Sequence, residues 1–170
     1  GGPALRYSLT DSAGNGYGFY LLDSAAATLH IERRNSWSGT ALADSSAAIA
    51  GGLELGAWYT LRLLRQGSNL TAEAYAGRVD PGTAIPLLSV FLSDDSFHRF
   101  DQLNINGGRD FDTDSIRVYV EAAQVQPGMV FEDDFSDGTL APWMQLESGT
   151  VALLNDPTNG WVLRKTNNND

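Results

Sequence analysis

The chain has 170 residues and no cysteine, and its 11 Lys and Arg against 21 Asp and Glu give a formal net charge of −10. This length predicts one domain with one core, and the lack of cysteine excludes a disulfide scaffold, thiolate zinc and a cysteine nucleophile. Nucleic acids and anionic membranes are poor partners, because binding a polyanion requires clustered cations. No apolar run approaches the roughly 20 residues that span a bilayer, so we expect no membrane insertion. The chain does not begin with Met, which we interpret as a processed product, a fragment or a repeat unit.

Apolar residues alternate with polar ones along most of the chain, and Gly, Asn, Asp and Ser interrupt the alternation at short intervals, as in antiparallel all-β domains. In chain order the pattern predicts strands near residues 4–9, 17–22, 29–32, 58–65, 70–76, 86–92, 100–106, 116–121, 128–133, 143–147, 150–154 and 161–166. The turn at residues 66–69 predicts a hairpin between two of them. The alanine-rich stretches at 25–27 and 47–50 are too short for stable helices, so we interpret them as strand or loop. This number of short strands predicts an antiparallel β-sandwich of the jelly-roll type.

Four segments carry a resemblance to a known family, namely NGYGFYLL at 15–22, GAWYTLRL at 56–63, NLTAEAY at 69–75 and DSIRVYV at 114–120. Together they resemble the concanavalin A-like, laminin-G-like jelly-roll superfamily, which includes non-catalytic carbohydrate-binding modules. The resemblance covers almost the whole chain. Because this fold serves lectins, glycanases, adhesion modules and structural repeats, the resemblance leaves the function open.

The order of the segments departs from that family. FEDDFSDGTLAPW at 131–143 is similar to a segment that opens the family's domain, whereas 114–121 is similar to one that closes it. We therefore divide the chain into a main body, residues 1–126, and an opener-like segment, residues 127–170. The domain is circularly permuted, or is a window cut from a tandem array, or gives its last strands to a neighbouring copy. Strand exchange would link copies head to tail and build a filament where the link does not close. The expected anchors of this assembly segment are Phe131, Phe135, Trp143 and Trp161.

No catalytic constellation is visible. Glycanases of this superfamily carry carboxylates two to a few residues apart on one strand, because a retaining mechanism needs them about 5–5.5 Å apart. The six glutamates, at 32, 54, 73, 121, 132 and 147, show no such spacing. His30 and His98 are isolated from any nucleophile motif. We therefore expect no enzymatic activity, with a glycoside hydrolase of remodelled active site as the most distant alternative.

Two acidic clusters are candidates for calcium, a cation that takes six to eight oxygen ligands. In relatives of the fold, a structural calcium often ties the first strand to the last. The resemblance therefore implies Asp114, Asp133 and Asp134 as calcium ligands, with Asp110 and Asp112 as further ligands from the loop. The alternative is that these residues are solvated turn residues of an acidic protein.

Exposed aromatic side chains are the other candidate site, because sugar C–H faces stack on aromatic rings. Trp37 lies in a loop of small polar residues, while Tyr20 and Tyr75 fall opposite the predicted core positions of their strands. For Trp37 the alternative is a plug over one end of the sandwich.

We expect a non-catalytic extracellular or cell-surface module that assembles with copies of itself. The alternative is a lectin-like module whose partners are glycans. The low share of charged residues, 19%, requires a surface rich in Ser, Thr, Asn and Gly, which suits extracellular repeats and adhesins.

Overall fold

The computed structural model describes residues 3–45, 47–107, 111–120, 128–140, 150–158 and 160–166. Within these ranges the chain forms strands, turns and loops without a helix, and all ladders between strands are antiparallel. The predicted all-β antiparallel class is confirmed. In the described ranges, no helix of the length and apolarity needed to cross a membrane is found.

The chain divides into two compact units, Gly1–Gly108 and Arg109–Asp170. The described strands of the first unit are β1 (Pro3–Thr10), β2 (Gly16–Leu22), β3 (Ala26–Asn35), β4 (Ser38–Asp44), β5 (Ile49–Ala50), β6 (Tyr59–Gln66), β7 (Asn69–Ala76), β8 (Leu88–Ser93) and β9 (Gln102–Asn106). Of these, β4 was not predicted, because its residues are small or polar and mostly exposed. The two alanine-rich stretches contribute to β3 and β5 and form no helix, as predicted.

These strands form two sheets in the first unit. The large sheet has the order β4-β3-β2-β1-β9, with short β5 also pairing with β3, and the small sheet has the order β6-β7-β8. The predicted hairpin is confirmed, because Gln66 pairs with Asn69 and leaves a two-residue turn between β6 and β7. In this turn Gly67 has a φ of +62°, a value that glycine adopts without steric penalty.

The core of the first unit lies between its two sheets. β2 and β3 each send alternate apolar side chains to it, and the small sheet faces them with leucine, valine and alanine, so the architecture is sandwich-like. The buried residues of this core are Tyr17, Phe19, Leu21, Leu29, Ile31, Leu70, Ala72, Ala74, Leu88 and Val90. Ala72 and Ala74 on β7 are fully buried between the two sheets, and their small side chains leave room for the larger residues of β2 and β3.

One end of this core is closed by the segment that follows β8. The Tyr17 hydroxyl donates to Asp94 Oδ1 and accepts from the backbone N–H groups of Ser96 (3.0 Å) and Phe97 (3.2 Å). Arg33 donates to the other carboxylate oxygen of Asp94. A buried tyrosine and an ion pair between the half-buried Arg33 and the nearly buried Asp94 therefore attach this segment to the sandwich.

The second unit has two smaller sheets. Its described strands are β10 (Phe111–Thr113), β11 (Ile116–Val120), β12 (Gly128–Asp133), β13 (Thr150–Asp156) and β14 (Gly160–Thr166). One sheet has the order β10-β14-β13 and the other pairs β11 with β12. Phe135 and Val162 are completely buried, and Lys165, the only lysine of the sequence, is 8% exposed. The strand predicted near 143–147 lies outside the described residues.

The boundary expected at residues 126/127 lies inside this second unit. β12, which belongs to the opener-like segment, pairs with β11, which belongs to the closing segment. β14 likewise pairs with β10. Strands on both sides of residue 127 thus share ladders within one unit, and the completion of a neighbouring copy by this segment stays a prediction.

Candidate functional site

The face of the large sheet that points away from the core is polar. Directly opposed residues of neighbouring strands point to the same face, so the register sorts this face into three rows that cross the sheet. The rows are Asn106-Arg6-Tyr20-His30-Asp44, Asn104-Ser8-Gly18-Glu32-Ala41 and Gln102-Thr10-Gly16-Arg34-Gly39. We call these residues the polar face.

A carboxylate held by two arginines occupies the centre of the polar face. Glu32 Oε1 lies 2.7 Å from Arg34 Nη1 and 2.9 Å from Arg6 Nε. The side chains of Glu32 and Arg34 are only 2% and 8% exposed. Because unpaired charges are strongly disfavoured away from water, these groups depend on one another. The carboxylate of Glu32 is therefore held in place by two arginines that both contact Oε1.

The space for the Glu32 carboxylate exists because a neighbouring position lacks a side chain. A Cβ built on Gly39 would overlap with Oε2 of Glu32. Gly39 belongs to β4, on the far side of β3 from the centre of the sheet. Any larger residue at this position would displace the carboxylate from its two arginines.

The first row lies at one end of the polar face and contains three stacked planar groups, those of Arg6, Tyr20 and His30. The Tyr20 and His30 rings are parallel within 4°, with centroids 4.7 Å apart, and the Arg6 guanidinium lies 5.2 Å from the Tyr20 centroid. His30 also contacts Asp44 Oδ1 through Nδ1 (2.5 Å) and Thr28 Oγ1 through Nε2 (2.7 Å). Burial raises the pKa of Tyr20, with a smaller contribution from the charge of Glu32. Tyr20 therefore keeps its hydroxyl proton at neutral pH.

At the opposite end of the polar face, Trp37 lies in a strained turn. Asn35 pairs with Ser38, which leaves Ser36 and Trp37 as a two-residue connection between β3 and β4. Their φ angles are +48° and +71°, in the left-handed region that such hairpin turns require and that Asn and Gly usually supply. Non-glycine residues held there cost about 1–3 kcal/mol and cluster at functional sites.

The indole ring of Trp37 has one covered and one open side. A Cβ built on Gly14 would lie only 2.5 Å from the ring, so the ring rests directly on the Gly14 backbone. The residue is nevertheless 42% exposed. Its backbone N–H donates to the Gly14 carbonyl (3.0 Å), and its own carbonyl accepts from Arg34 Nη2. The ring is thus a partly exposed flat surface. Its backbone is held by Arg34, which also belongs to the buried ion pair with Glu32.

Three buried polar atoms of the polar face have no hydrogen-bond partner among the described residues. They are Arg6 Nε, Arg34 Nε and Gln102 Oε1. Arg6 Nε is close enough to Glu32 for an ion pair, but its N–H is not aligned for a hydrogen bond. Buried polar groups are normally satisfied. These three atoms lie beneath the surface of the polar face, so a ligand from outside cannot reach them in this conformation.

The other predicted aromatic residues are placed differently. Tyr75 is only 1% exposed, and its hydroxyl donates to Glu73 Oε2 (2.8 Å) and lies 3.4 Å from the Pro81 carbonyl. The premise that Tyr75 offers an exposed ring is therefore wrong. The ring of Tyr20 has Arg6 over one face and His30 over the other, so its edge and hydroxyl remain. Of the three predicted residues, Trp37 has the open face that stacking requires.

The predicted calcium ligands lie in the second unit, where each described carboxylate already has a partner. Asp112 accepts from Arg164 Nε (2.6 Å) and Nη2 (2.7 Å). Asp114 accepts from Ser115 Oγ, while Asp133 and Asp134 accept from the backbone N–H groups two residues further on. The hydrogen bonds from Ser136 lower the pKa of Asp134.

The register brings Asp133 opposite Ile116, two residues after Asp114, so residues from the two sides of position 127 do approach. Asp110 lies outside the described residues, and within the described part no group of three metal-ligating side chains is present. Calcium binding stays a prediction, tested by the melting temperature with chelator and with added Ca²⁺.

The residues expected to anchor assembly also lie in the second unit. Phe135 is fully buried with a φ of +58°. Trp161, half-buried in β14, packs against the backbone of Gly138, where a Cβ would lie 3.5 Å from its ring. Phe131 lies on β12 opposite Val118, and Trp143 lies outside the described residues. Phe135 and Trp161 thus serve the packing of their own unit.

Sequence reasoning did not select Arg6, Glu32 and Arg34 as site residues. The alternation of His30 and Glu32 with Leu29 and Ile31 was visible in the sequence, but it ends before Arg34, whose neighbours Arg33 and Asn35 are both polar. The pairing with Arg6 was not visible, because it depends on the register of three strands. No family model, curated protein or solved structure matches the chain.

Proposed function

We propose that the chain is a non-catalytic glycan-binding module with a concanavalin A-like sandwich, located outside the cell or at its surface. Its binding site is the polar face together with Trp37. The observation that carries the proposal is the Trp37 ring, which rests on Gly14, is 42% exposed and stands in a strained turn. Strain of this kind persists only where the surrounding structure enforces it.

The chemistry of the site suits a sugar. Pyranose rings have an apolar C–H face, which stacks on indole, and hydroxyl groups, which exchange hydrogen bonds with charged and amide side chains. Trp37 supplies the stacking surface, and the side chains of Arg6 and Asp44, which are 22% and 62% exposed, supply a donor and an acceptor on the polar face. The stacked Tyr20 contributes a protonated hydroxyl at the other end.

Length and charge narrow the ligand to a neutral oligosaccharide. The first and third rows are four residues apart along β3, about 13 Å, so the polar face is longer than one sugar ring. Arg6 and Arg34 are balanced by Glu32 and Asp44 within the face. The whole chain carries a net charge of −10, which repels polyanions.

The test is a glycan array followed by calorimetric titration of the best-binding neutral oligosaccharide. Trp37→Ala should weaken binding about tenfold, which corresponds to the loss of about 1.4 kcal/mol of stacking. Phe91→Ala is the matched control, because Phe91 is an exposed aromatic residue of the other sheet. The absence of any bound glycan, or equal affinities of the two variants, would show that the proposal is wrong.

A second candidate, head-to-tail self-assembly, is compatible with the ladders of the second unit. The opener-like β12 and β14 pair with β11 and β10, the pairing expected both in a permuted domain and between copies that exchange strands. The two cases differ in covalent connection only. Mass measurement separates them, because exchange produces oligomers that should disappear when residues 129–170 are moved ahead of residue 1. Polymers formed by the rearranged chain would rule out the exchange.

A further inference from the structure

β8 is an edge strand without the protection that edge strands normally have. It pairs with β7, and no other described strand pairs with its opposite side. Edge strands commonly carry charges, lysine above all, which prevent pairing with other chains. The run from Pro81 to Ser93 contains no charged residue. Phe91 on β8 is 64% exposed, and Ile85 and Leu87 just before it are 90% and 45% exposed.

The register shows which backbone groups of β8 are free to pair. Asp94 N–H donates to the Ser68 carbonyl at 2.8 Å, which continues the β7–β8 ladder by one residue. In an antiparallel pair, hydrogen bonding to the partner strand alternates from residue to residue. Residues 88, 90 and 92 therefore point their N–H and C=O groups to β7. Those of Ser89, Phe91 and Ser93 point to the open side.

We propose that β8 pairs with β8 of a second copy, antiparallel and about a two-fold axis at Phe91. Such a pairing sets each Ser89 opposite Ser93 of the other copy and joins the two small sheets into one. It uses only the backbone groups that β7 leaves free. The two Phe91 side chains would lie side by side on the outer face of the joined sheet, where aromatic cross-strand pairs are stabilising.

The charge distribution favours a second copy of the chain as the pairing partner of β8. Two chains of net charge −10 repel one another over most approaches, whereas the uncharged run from Pro81 to Ser93 lets two copies meet without opposed charges. An antiparallel pair of identical strands is self-complementary, as a two-fold contact requires. This dimer is argued from β8 of the first unit alone and rests on neither candidate function.

The first experiment is sedimentation velocity from about 1 μM to about 1 mM, the range in which small interfaces associate. The native chain should change from monomer to dimer within this range, and Phe91→Lys should remain monomeric because it sets two ammonium groups opposite each other. Leu55→Lys is the control, since Leu55 is fully exposed in a distant loop. A native chain that stays monomeric, or a Phe91→Lys variant that dimerises like the control, would overturn the proposal.

The second experiment uses the absence of cysteine from the chain. In a hydrogen-bonded antiparallel pair the opposed Cα atoms are about 5.5 Å apart, within reach of a short bis-maleimide. Phe91→Cys should therefore form a covalent dimer much faster than Leu55→Cys at equal concentration. Equal rates for the two variants would show that Phe91 does not face its copy. This result does not depend on the tolerance of β8 to a lysine.

Discussion

Glu32 and Arg34 form an ion pair across two positions of one strand, with both side chains at least nine-tenths buried. The partners of a buried ion pair depend on each other, because removal of one leaves the other charged and unpaired. Glu32→Gln keeps the size of the side chain and removes its charge, leaving Arg6 and Arg34 uncompensated. We expect it to lower the free energy of unfolding by about 3 kcal/mol, measured by urea denaturation.

The control for this variant is Asp112→Asn, which removes a carboxylate from a partly exposed pair with Arg164. Exposed pairs contribute about 0–1 kcal/mol. A loss at Glu32 no greater than at Asp112 would mean that the two arginines do not depend on the buried carboxylate.

Trp37→Gly separates stability from binding. Glycine adopts the φ of +71° without strain, and the relief of about 1 kcal/mol offsets part of the stabilisation that the indole ring gains by packing on Gly14. We expect a change in the free energy of unfolding within about 1 kcal/mol, together with a loss of glycan affinity of about tenfold, as for Trp37→Ala. Thermal unfolding and calorimetric titration measure the two effects on the same sample. A strongly destabilised variant would indicate that Trp37 is a structural plug over the end of the sandwich.

Asp94 should make the free energy of unfolding depend on pH in the acidic range. Burial disfavours its charge, but hydrogen bonds from Tyr17, Ser96 and Arg33 outweigh burial and hold the pKa of Asp94 well below its ordinary value. A carboxyl whose pKa is lower in the folded state stabilises above the unfolded pKa, about 4, and this stabilisation is lost as pH falls. The free energy of unfolding should therefore decrease below about pH 4.

Asp94→Asn should lower stability at pH 7 by about 2–3 kcal/mol, as for a buried charged hydrogen-bond partner, and should flatten the acid dependence. Asp95→Asn, at a neighbouring carboxylate that is 66% exposed, should leave both nearly unchanged. Urea midpoints between about pH 2 and pH 7 give the comparison. Parallel pH profiles of native chain and Asp94→Asn would show that another carboxyl is responsible.

Tyr17 should make the free energy of unfolding decrease at alkaline pH. Burial, followed by the hydrogen bond to Asp94, raises the pKa of Tyr17, so the folded state retains the phenol proton that the unfolded chain releases near about pH 10. Stability should then fall as pH rises above about 10. Burial also raises the pKa values of Tyr20 and Tyr75, so Tyr17→Phe should reduce this dependence without removing it. A variant with the same alkaline slope as the native chain would contradict the role of Tyr17.

Phe135 tests the packing of the second unit. Its side chain is completely buried, and truncation of such a residue costs about 3–5 kcal/mol. Phe135→Ala should therefore lose protection against hydrogen exchange in β10 to β14. Phe91→Ala removes the same atoms from an exposed position and should cost less than about 1 kcal/mol. Unchanged protection in Phe135→Ala would mean that Phe135 does not hold the unit together.

The strands were predictable because one side of each sheet faces a core. Tyr17, Phe19 and Leu21 repeat at period two, and burial of one face imposes that period on the sequence. β4 lacks this signal because its residues are small and mostly exposed. The all-β class therefore followed from the sequence, whereas the division into two units did not.

The site was only partly predictable, for two physical reasons. Trp37 stood out through its small polar neighbours, and its exposure agrees with that expectation. Tyr75 was assigned to an exposed face from the alternation of its strand alone. That pattern contains no information about the segment after β7, which places the Pro81 carbonyl near the Tyr75 hydroxyl. The arginine pair around Glu32 depends on strand register, which no local pattern contains.

The burial of the only lysine has a practical consequence for labelling the protein. Lys165 lies in β14 with 8% of its surface exposed, so amine-directed reagents should acylate it slowly in the native state. Opening of β14 would expose its amine at a single position of the sequence. The rate of acylation at Lys165, measured by mass spectrometry, therefore reports local unfolding of the second unit without any substitution in the chain.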